Sequence, residues 1–177
     1  EREIERLAMD PGVGLAVATE NRKEEGLLQP LPVRANLALT RLSSLARFGF
    51  VRAGAERAQA AALVARLGVV CTSIEQPVEQ LSGGNQQKVV LGRWLQHDPE
   101  ILICDEPTRG VDVNARREIH ALLRGLAEAG KGVIVVASEL QEILALCDRI
   151  VVLSAGTVTG TFERPSFSEA ALLEAAF

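Results

Sequence analysis

The chain has 177 residues, of which 47% are hydrophobic, and it carries a formal net charge of −4. This length and apolar content predict one folded domain, or one domain with a small lobe, and exclude an intrinsically disordered protein. The acidic balance argues against a nucleic-acid-binding protein, because such proteins usually present a basic face. Aromatic residues make up only 3% of the chain, so we expect an aliphatic core, as in parallel strands covered by helices.

The first 32 residues combine a polar segment, a short apolar run and a charged loop. We predict a short helix over residues 1–12, a strand over residues 13–18 and a loop over residues 19–26. The charged start does not resemble a signal peptide, and the sequence contains no apolar run of the length that spans a bilayer. Any role at a membrane would therefore depend on a partner.

Residues 33–80 have the spacing of helices. Apolar residues recur at helical intervals over residues 33–47 and again over residues 53–67, and Gly68 follows as a stop signal. No strand pattern is visible in residues 33–75. We therefore predict a small helical lobe over residues 33–80.

Residues 81–177 alternate between helices and continuous apolar strands. The predicted elements are helices over residues 82–97, 112–129, 139–146 and 168–176, strands over residues 100–104, 133–137 and 150–153, and an antiparallel edge strand over residues 157–162. This alternation predicts an α/β core with a mostly parallel sheet.

Two acidic residues, Asp105 and Glu106, directly follow the apolar strand at residues 101–104. Ligands of parallel α/β sheets bind beyond the carboxyl ends of the strands. An acid at such a position can hold Mg²⁺, usually through water, and its neighbour can orient or deprotonate an attacking water. The pattern alone also fits an ordinary strand that ends in solvated acids, so it leaves both interpretations open.

A second candidate site is the helix start at Ser82, Gly83 and Gly84. The glycines allow the backbone to approach a ligand closely, and the first turn of a helix offers free N–H groups and a positive dipole end to an anion. Ser82 adds a hydroxyl group. A serine-capped helix behind a Gly-Gly turn is also common without any ligand, so this segment alone is weak evidence.

Taken together, the two segments resemble the ATP-binding cassettes of ABC transporters. Residues 81–86 resemble the family's LSGGQ signature, residues 105–108 its Walker B strand end, and residues 110–112 its D-loop. Residues 147–153, followed by Gly156, resemble its late strand and hairpin. The resemblance runs in order through nearly the whole chain and implies a P-loop NTPase-like α/β fold with ATP and Mg²⁺ as cofactors.

A narrower resemblance is to the ATP-binding subunits of bacterial importers for ribose, galactose, xylose and similar sugars. It rests on Leu-Ser-Gly-Gly-Asn-Gln-Gln-Lys at residues 81–88 and on residues 20–27, 107–112 and 138–140. Those subunits carry two cassettes on one polypeptide, and this chain is similar to the second one. The implied partners are a second cassette, transmembrane permease subunits and, indirectly, a sugar-binding protein, with no nucleic acid. The implied location is cytoplasmic, on the inner face of the membrane.

The resemblance also implies roles for individual residues. Glu106 would be the catalytic residue and Asp105 the residue that serves the metal. The signature would contact a nucleotide held by the partner cassette, through Ser82, Gly83, Gly84, Asn85 and Gln86. Switching and coupling would fall to Glu20, Asp112 and Ser138.

The sequence departs from the family pattern at three points. It contains no Gly-x-x-x-x-Gly-Lys followed by Ser or Thr, and since that phosphate-binding loop lies upstream in a full cassette, we expect a chain truncated at its N-terminus. Without the loop, the chain alone should bind ATP poorly and hydrolyse it negligibly.

The other two departures are single residues. Glu20 stands where the family has a glutamine, and Ser138 stands where it has a histidine. Glu20 adds negative charge to an anionic site, and Ser138 cannot carry a proton charge.

Three alternatives remain open from the sequence. A regulatory cassette would supply its signature loop in trans without hydrolysing ATP, which Glu20 and Ser138 favour and Glu106 disfavours. A chromosome-maintenance or DNA-repair ATPase would need a long coiled coil before this segment, and residues 1–12 are too short to show one. A broken gene product or cloned fragment is compatible with the family resemblance.

Overall fold

The computed structural model describes residues 14–21 and 26–177. The helix predicted over residues 1–12 lies outside the described residues, as do four residues of the predicted charged loop. The chain forms two compact units, one that ends at Val136 and one that spans Ala137–Phe177.

In chain order the described helices and strands are β1 (Leu15–Ala18), α1 (Val33–Ala38), α2 (Leu42–Leu45), β2 (Ala46–Arg47), β3 (Phe50–Val51), α3 (Ala53–Leu67), α4 (Gly83–Leu95), β4 (Ile101–Asp105), α5 (Val113–Glu128), β5 (Gly132–Val136), α6 (Leu140–Leu146), β6 (Arg149–Ser154), β7 (Thr157–Glu163) and α7 (Glu169–Ala176). Short 3-10 turns lie at Leu39–Arg41, Val78–Gln80 and Arg164–Ser166. The helices predicted in the second half of the chain are confirmed to within about two residues at their ends, which is the ordinary margin.

A parallel sheet with the strand order β1-β4-β5 lies in the first unit. Ala18 of β1 is paired with Cys104 of β4, and Asp105 of β4 is paired with Val136 of β5. All three strands therefore end at the same edge of the sheet. The parallel sheet expected from the apolar strands is confirmed.

The two faces of this sheet differ in burial. Ala18, Leu102 and Cys104 point to one face and are at most 1% exposed, and this is the side on which α4 contacts β1 and α5 contacts β5. Ile134 and Val136 alternate to the other face and are about half exposed. The helices of the first unit thus cover one face of the sheet.

Within the predicted helical lobe, α1 and α3 pack on each other and on α4. Gly92 of α4 allows this close approach, because a Cβ added there would lie 2.5 Å from Leu67 Cδ1 and 3.1 Å from Leu37 Cδ2. Arg34 of α1 forms ion pairs with Glu56 at 2.7 Å and Glu75 at 2.8 Å. Its hydrogen bond lowers the pKa of the Glu75 carboxyl group.

The prediction of a strand-free segment over residues 33–75 is wrong in one detail. Helix α1 ends at Ala38, a 3-10 turn and the short α2 follow, and β2 and β3 then form a short antiparallel hairpin. Phe48 and Gly49 connect the two strands with φ of 53° and 84°. Two successive residues with positive φ form the kind of turn that suits a two-residue hairpin. This turn lies between the two stretches of helical spacing.

The second unit contains an antiparallel pair, β6 and β7, and α7, which packs on both strands. The antiparallel strand predicted over residues 157–162 is confirmed. Ala155 and Gly156 connect the strands with φ of 48° and 79°, again as in a two-residue hairpin turn. Within the described residues, the structure contains no helix with the length and hydropathy that crossing a membrane requires.

Candidate functional site

The signature segment begins at Ser82, the N-cap residue of α4. Its Oγ accepts a hydrogen bond from the Asn85 backbone N–H at 3.5 Å and from Asn85 Nδ2 at 2.9 Å. Serine is favoured at this position because its oxygen satisfies an N–H group that has no acceptor inside the helix. Ser82 is exposed, so the positive end of the helix dipole faces solvent beside a hydroxyl group.

Asn85 and Gln86 connect this helix start to its surroundings. Asn85 Oδ1 accepts a hydrogen bond from the Val70 backbone N–H at 2.8 Å, which ties the loop after α3 to the signature. Gln86 is 4% exposed, and its Nε2 donates to the Val78 carbonyl at 3.2 Å. In this structure both side chains hold the helix start in place, and their predicted contacts with a nucleotide stay predictions.

Gly84 lies where α4 and α5 approach each other most closely. A Cβ added at this position would lie 2.2 Å from the Cβ of Ala115, a separation that real Cβ atoms do not adopt. The glycine is therefore required by helix packing, whatever it does for a ligand. The contact joins the signature helix to the helix that follows the acidic strand end.

The acidic strand end turns sharply after Asp105. Glu106 has a positive φ of 48°, which is uncommon for a residue with a side chain and typical of functional sites. Its backbone N–H donates to the Val136 carbonyl at 2.8 Å, and its carbonyl accepts from the Arg109 N–H at 3.2 Å. The turn places both acids, which are half buried, at the edge where the three strands end.

Glu20 reaches the same edge from the neighbouring strand. It lies two residues beyond Ala18, and Ala18 is paired with Cys104. Its carboxylate forms an ion pair with the Arg109 guanidinium, with both side chains partly exposed. The structure therefore brings Glu20, Asp105 and Glu106 to one edge and adds a cation to them.

Arg109 is a residue whose role the sequence reasoning missed. It belongs to the Pro-Thr-Arg-Gly segment that carries the subfamily resemblance, but no function followed from that. A signal was present, because a basic residue stands three positions after two consecutive acids. Its partner cannot be read from the sequence, since Glu20 lies on a different strand.

Asp112 is the N-cap residue of α5. Its Oδ1 accepts hydrogen bonds from the backbone N–H groups of Asn114 and Ala115, both at 3.0 Å. Asp112 is exposed, so a contact with another chain is sterically possible. The described structure assigns it a local role in starting the helix, and its role in coupling two sites stays a prediction.

Ser138 lies at an exposed bend between β5 and α6, in the second unit.

Lys88, to which the sequence analysis assigns no role, is buried on α4. Its Nζ contacts the Gly68 carbonyl at 2.7 Å and the Glu118 carboxylate at 2.6 Å. This lysine connects α3, α4 and α5 and is therefore a packing residue of the first unit.

The donor set at the strand end fits a magnesium ion that is bound together with a nucleotide. Among the described residues no group of three or more His, Cys, Asp or Glu side chains forms a dedicated metal cage. Mg²⁺ prefers oxygen ligands and is commonly bound by one or two carboxylates, several waters and phosphate oxygens. Asp105 and its neighbour Glu106 supply carboxylates of this kind.

The family model and the sequence relatives that match this chain point to the same protein family. The family model described as ABC transporter matches residues 11–109. A ribose import ATP-binding protein of Rhizobium meliloti (strain 1021) is 44% identical over 95% of this chain and 33% of its own length. An arabinose import ATP-binding protein of Rhizobium etli is 42% identical over 92% of this chain and 33% of its own length. The chain therefore spans about a third of the length of these curated relatives.

The solved structures agree with the sequence relatives. A dimeric ATP-binding cassette in a post-hydrolysis state, bound to ADP and phosphate, is 26% identical with a TM-score of 0.73, over 94% of this chain and 68% of that one. A dimeric bacterial ABC transporter cassette is similar, with a TM-score of 0.72 and the same coverage. The cassette fold predicted from the sequence is confirmed. Since the family model covers more than half of the residues, the chain belongs to the ABC transporter family of ATP-binding cassettes.

Proposed function

We propose that this chain is the nucleotide-binding domain of an ABC-type sugar importer, which couples ATP binding and hydrolysis to transport. The observation that carries the proposal is the strand-end edge, where Asp105 ends β4 and Glu106 follows it, next to the end of β1. The sugar assignment is supported by the relatives, which are named as import ATP-binding proteins for ribose and arabinose.

Glu106 is the residue that would act on the attacking water. A carboxylate there can orient the water and accept its proton as the bond to the γ-phosphate forms. Asp105, at the end of the strand, would hold Mg²⁺ through water. The ion, when bound, would neutralise charge on the phosphate oxygens.

The signature segment would serve a nucleotide held by a second cassette. Its start presents the exposed Ser82 hydroxyl, with half-buried Gly83 and buried Gly84 behind it, and a helix N-terminus favours an anion such as a phosphate. Asn85 and Gln86 support this start through their hydrogen bonds to Val70 and Val78. Two cassettes arranged head to tail would use the surface in this way.

Coupling would involve Asp112 at the start of α5 and Ser138 after β5. The proposed partners are a second cassette in the same or another chain, the transmembrane permease subunits and, through them, a sugar-binding protein. The domain would lie on the cytoplasmic side of the membrane. The energy for transport would come from the difference in stability between the open and closed cassette pair when nucleotide is bound.

A Glu106→Gln substitution tests the proposal in the complete importer, purified with its permease. Loss of the group that activates water should lower turnover at this site by about 100-fold or more, while the affinity for MgATP should persist. Glu128→Gln is the matched control, because Glu128 is an exposed acid at the end of α5 and its loss should leave turnover unchanged.

The result also separates the competing regulatory function. If Glu106→Gln leaves both ATP turnover and sugar uptake unchanged, this site does not hydrolyse ATP and the domain acts only through its signature. If Glu106→Gln lowers ATP turnover but the ATP turnover of the importer does not depend on added sugar, the assignment to sugar import is wrong.

A further inference from the structure

Three acidic residues lie at or just beyond the strand ends on the strand-end edge. Asp105 ends β4, Glu106 follows it, and Glu20 lies two residues beyond the end of the adjacent parallel strand β1. Like charges disfavour one another when they are brought close, and triphosphate oxygens would add to this repulsion. Glu20 is the acid of this set whose ion pair the structure shows.

Arg109 supplies the opposite charge of this pair. Its guanidinium forms an ion pair with the Glu20 carboxylate. The backbone reinforces the placement, because the Arg109 N–H donates to the Glu106 carbonyl at 3.2 Å. Arg109 is therefore tied through its main chain to the acidic turn and through its side chain to the neighbouring strand end.

The exposure of the pair indicates a role other than fold stability. The Arg109 side chain is 64% exposed and the Glu20 side chain is 44% exposed. Ion pairs of such exposure typically contribute little to stability, because water screens the charges and long side chains lose freedom when they pair. The same exposure leaves the pair accessible to a competing ligand.

We propose that Arg109 is a positioning residue for Glu20, which it holds and neutralises at the strand-end edge until a magnesium–nucleotide complex takes the carboxylate over. The inference rests on the proposed function, because it assumes that the edge receives such a complex. The cation competes with Arg109 for the same carboxylate. Removal of the guanidinium charge leaves Glu20 available to metal in the absence of nucleotide.

Manganese binding to the nucleotide-free protein tests the inference without any turnover. Mn²⁺ is titrated into the full chain and followed by electron paramagnetic resonance. Arg109→Gln should raise the affinity for Mn²⁺ by about two- to tenfold, the lower part of the range for residues coupled in one ion-pair network. Arg109→Lys should stay close to wild type because it keeps the charge. Arg117→Gln, at an exposed arginine of α5, should have no effect.

A double-mutant cycle shows whether the effect passes through Glu20. In a Glu20→Gln background, Arg109→Gln should no longer change Mn²⁺ affinity, because the carboxylate that it releases is absent. Equal increases in both backgrounds would show that Arg109 acts through another group and would overturn the proposal. An unchanged affinity for Arg109→Gln alone would also overturn it.

The exchanged pair, Glu20→Arg with Arg109→Glu, separates positioning from a structural role. The exchange restores an ion pair, and because a pair of this exposure contributes little to stability, the melting temperature should stay close to that of wild type. The exchange also removes the carboxylate that lies beyond the end of β1. The Mg²⁺ dependence of nucleotide binding by the complete importer should therefore remain altered. Full recovery of that dependence would show a structural pair only. Failure of the proposed function would appear instead in turnover of Glu106→Gln, which this titration does not measure.

Discussion

The signature helix start and the strand-end edge are held in different ways. Side chains at the signature are fixed from several elements, through the hydrogen bonds of Asn85 to Val70 and of Gln86 to Val78 and through the packing of Gly84 on Ala115. The strand-end edge instead contains a residue with positive φ, Glu106, and an exposed ion pair between Glu20 and Arg109.

This difference matches the two tasks proposed for these regions. A surface that must fit a nucleotide held elsewhere benefits from being rigid before contact, because less conformational freedom is then lost on binding. A site that must sense the nucleotide benefits from interactions that exchange easily, and such regions come from the less stable parts of a fold. Substitutions in the two regions should therefore separate fold stability from nucleotide chemistry.

The largest loss of stability should follow Gly84→Ala. The added Cβ would lie 2.2 Å from the Cβ of Ala115, and neither helix can relieve the clash by rotating a flexible side chain. Overpacking of this kind costs about 1–3 kcal/mol of the free energy of unfolding. Urea denaturation of the wild-type and variant chains measures the difference.

A matched glycine on the partner helix provides the control. Gly125 of α5 has nothing within 4 Å of an added Cβ, so Gly125→Ala should stabilise the chain by up to about 1 kcal/mol through helix propensity. Ala115→Gly should recover part of the loss caused by Gly84→Ala. If Gly84→Ala behaves like Gly125→Ala, then α4 and α5 do not approach each other as described.

A smaller loss should follow Asp112→Ala, because Asp112 satisfies two backbone N–H groups of α5. Loss of an N-cap of this kind costs about 0.5–2 kcal/mol of the free energy of unfolding. Asp112→Asn retains an oxygen acceptor and should stay within about 0.5 kcal/mol of wild type, since Asn caps helices as well as Asp does. Thermal unfolding measures both variants.

The Asp112→Asn variant also tests the coupling role. Unchanged stability together with lower turnover of the complete importer would show that the charge at the start of α5 matters beyond the cap. Equal destabilisation by Asn and by Ala would contradict the capping geometry.

The main elements of the fold were predictable because they depend on local patterns. Continuous apolar runs predicted β4 and β5, and polar residues next to helical spacing predicted the starts of α4 and α5 at Ser82 and Asp112. The acidic strand end was predictable for the same reason, because an apolar run that changes abruptly into two acids is visible without any tertiary information.

The features that were not predictable depend on contacts between distant segments. The partner of Glu20 is Arg109, on the segment after another strand, and no local pattern links them. The sequence around Gly84 indicates a ligand-approach residue or a turn at a helix start, and its packing on Ala115 appears only when α4 and α5 are in place. The β2–β3 hairpin depends on Phe48 taking a positive φ, which a side chain of that size rarely does.

The smallest change in stability is expected for Ser82→Ala, and it addresses the comparison most directly. The cap bond to the Asn85 N–H is long, at 3.5 Å, so its loss should cost about 0.5–1 kcal/mol, the lower part of the range for helix caps. Ser168, at the N-cap position of α7 but without a side-chain cap bond, is the control, and Ser168→Ala should change the stability by less.

In the described contacts the Ser82 Oγ only accepts hydrogen bonds, which leaves its single O–H to donate elsewhere. Ser82→Ala should therefore weaken nucleotide-dependent pairing with a second cassette, measured by analytical ultracentrifugation, far more than it lowers the melting temperature. A loss of stability without any change in pairing would place Ser82 among the residues that only support the helix.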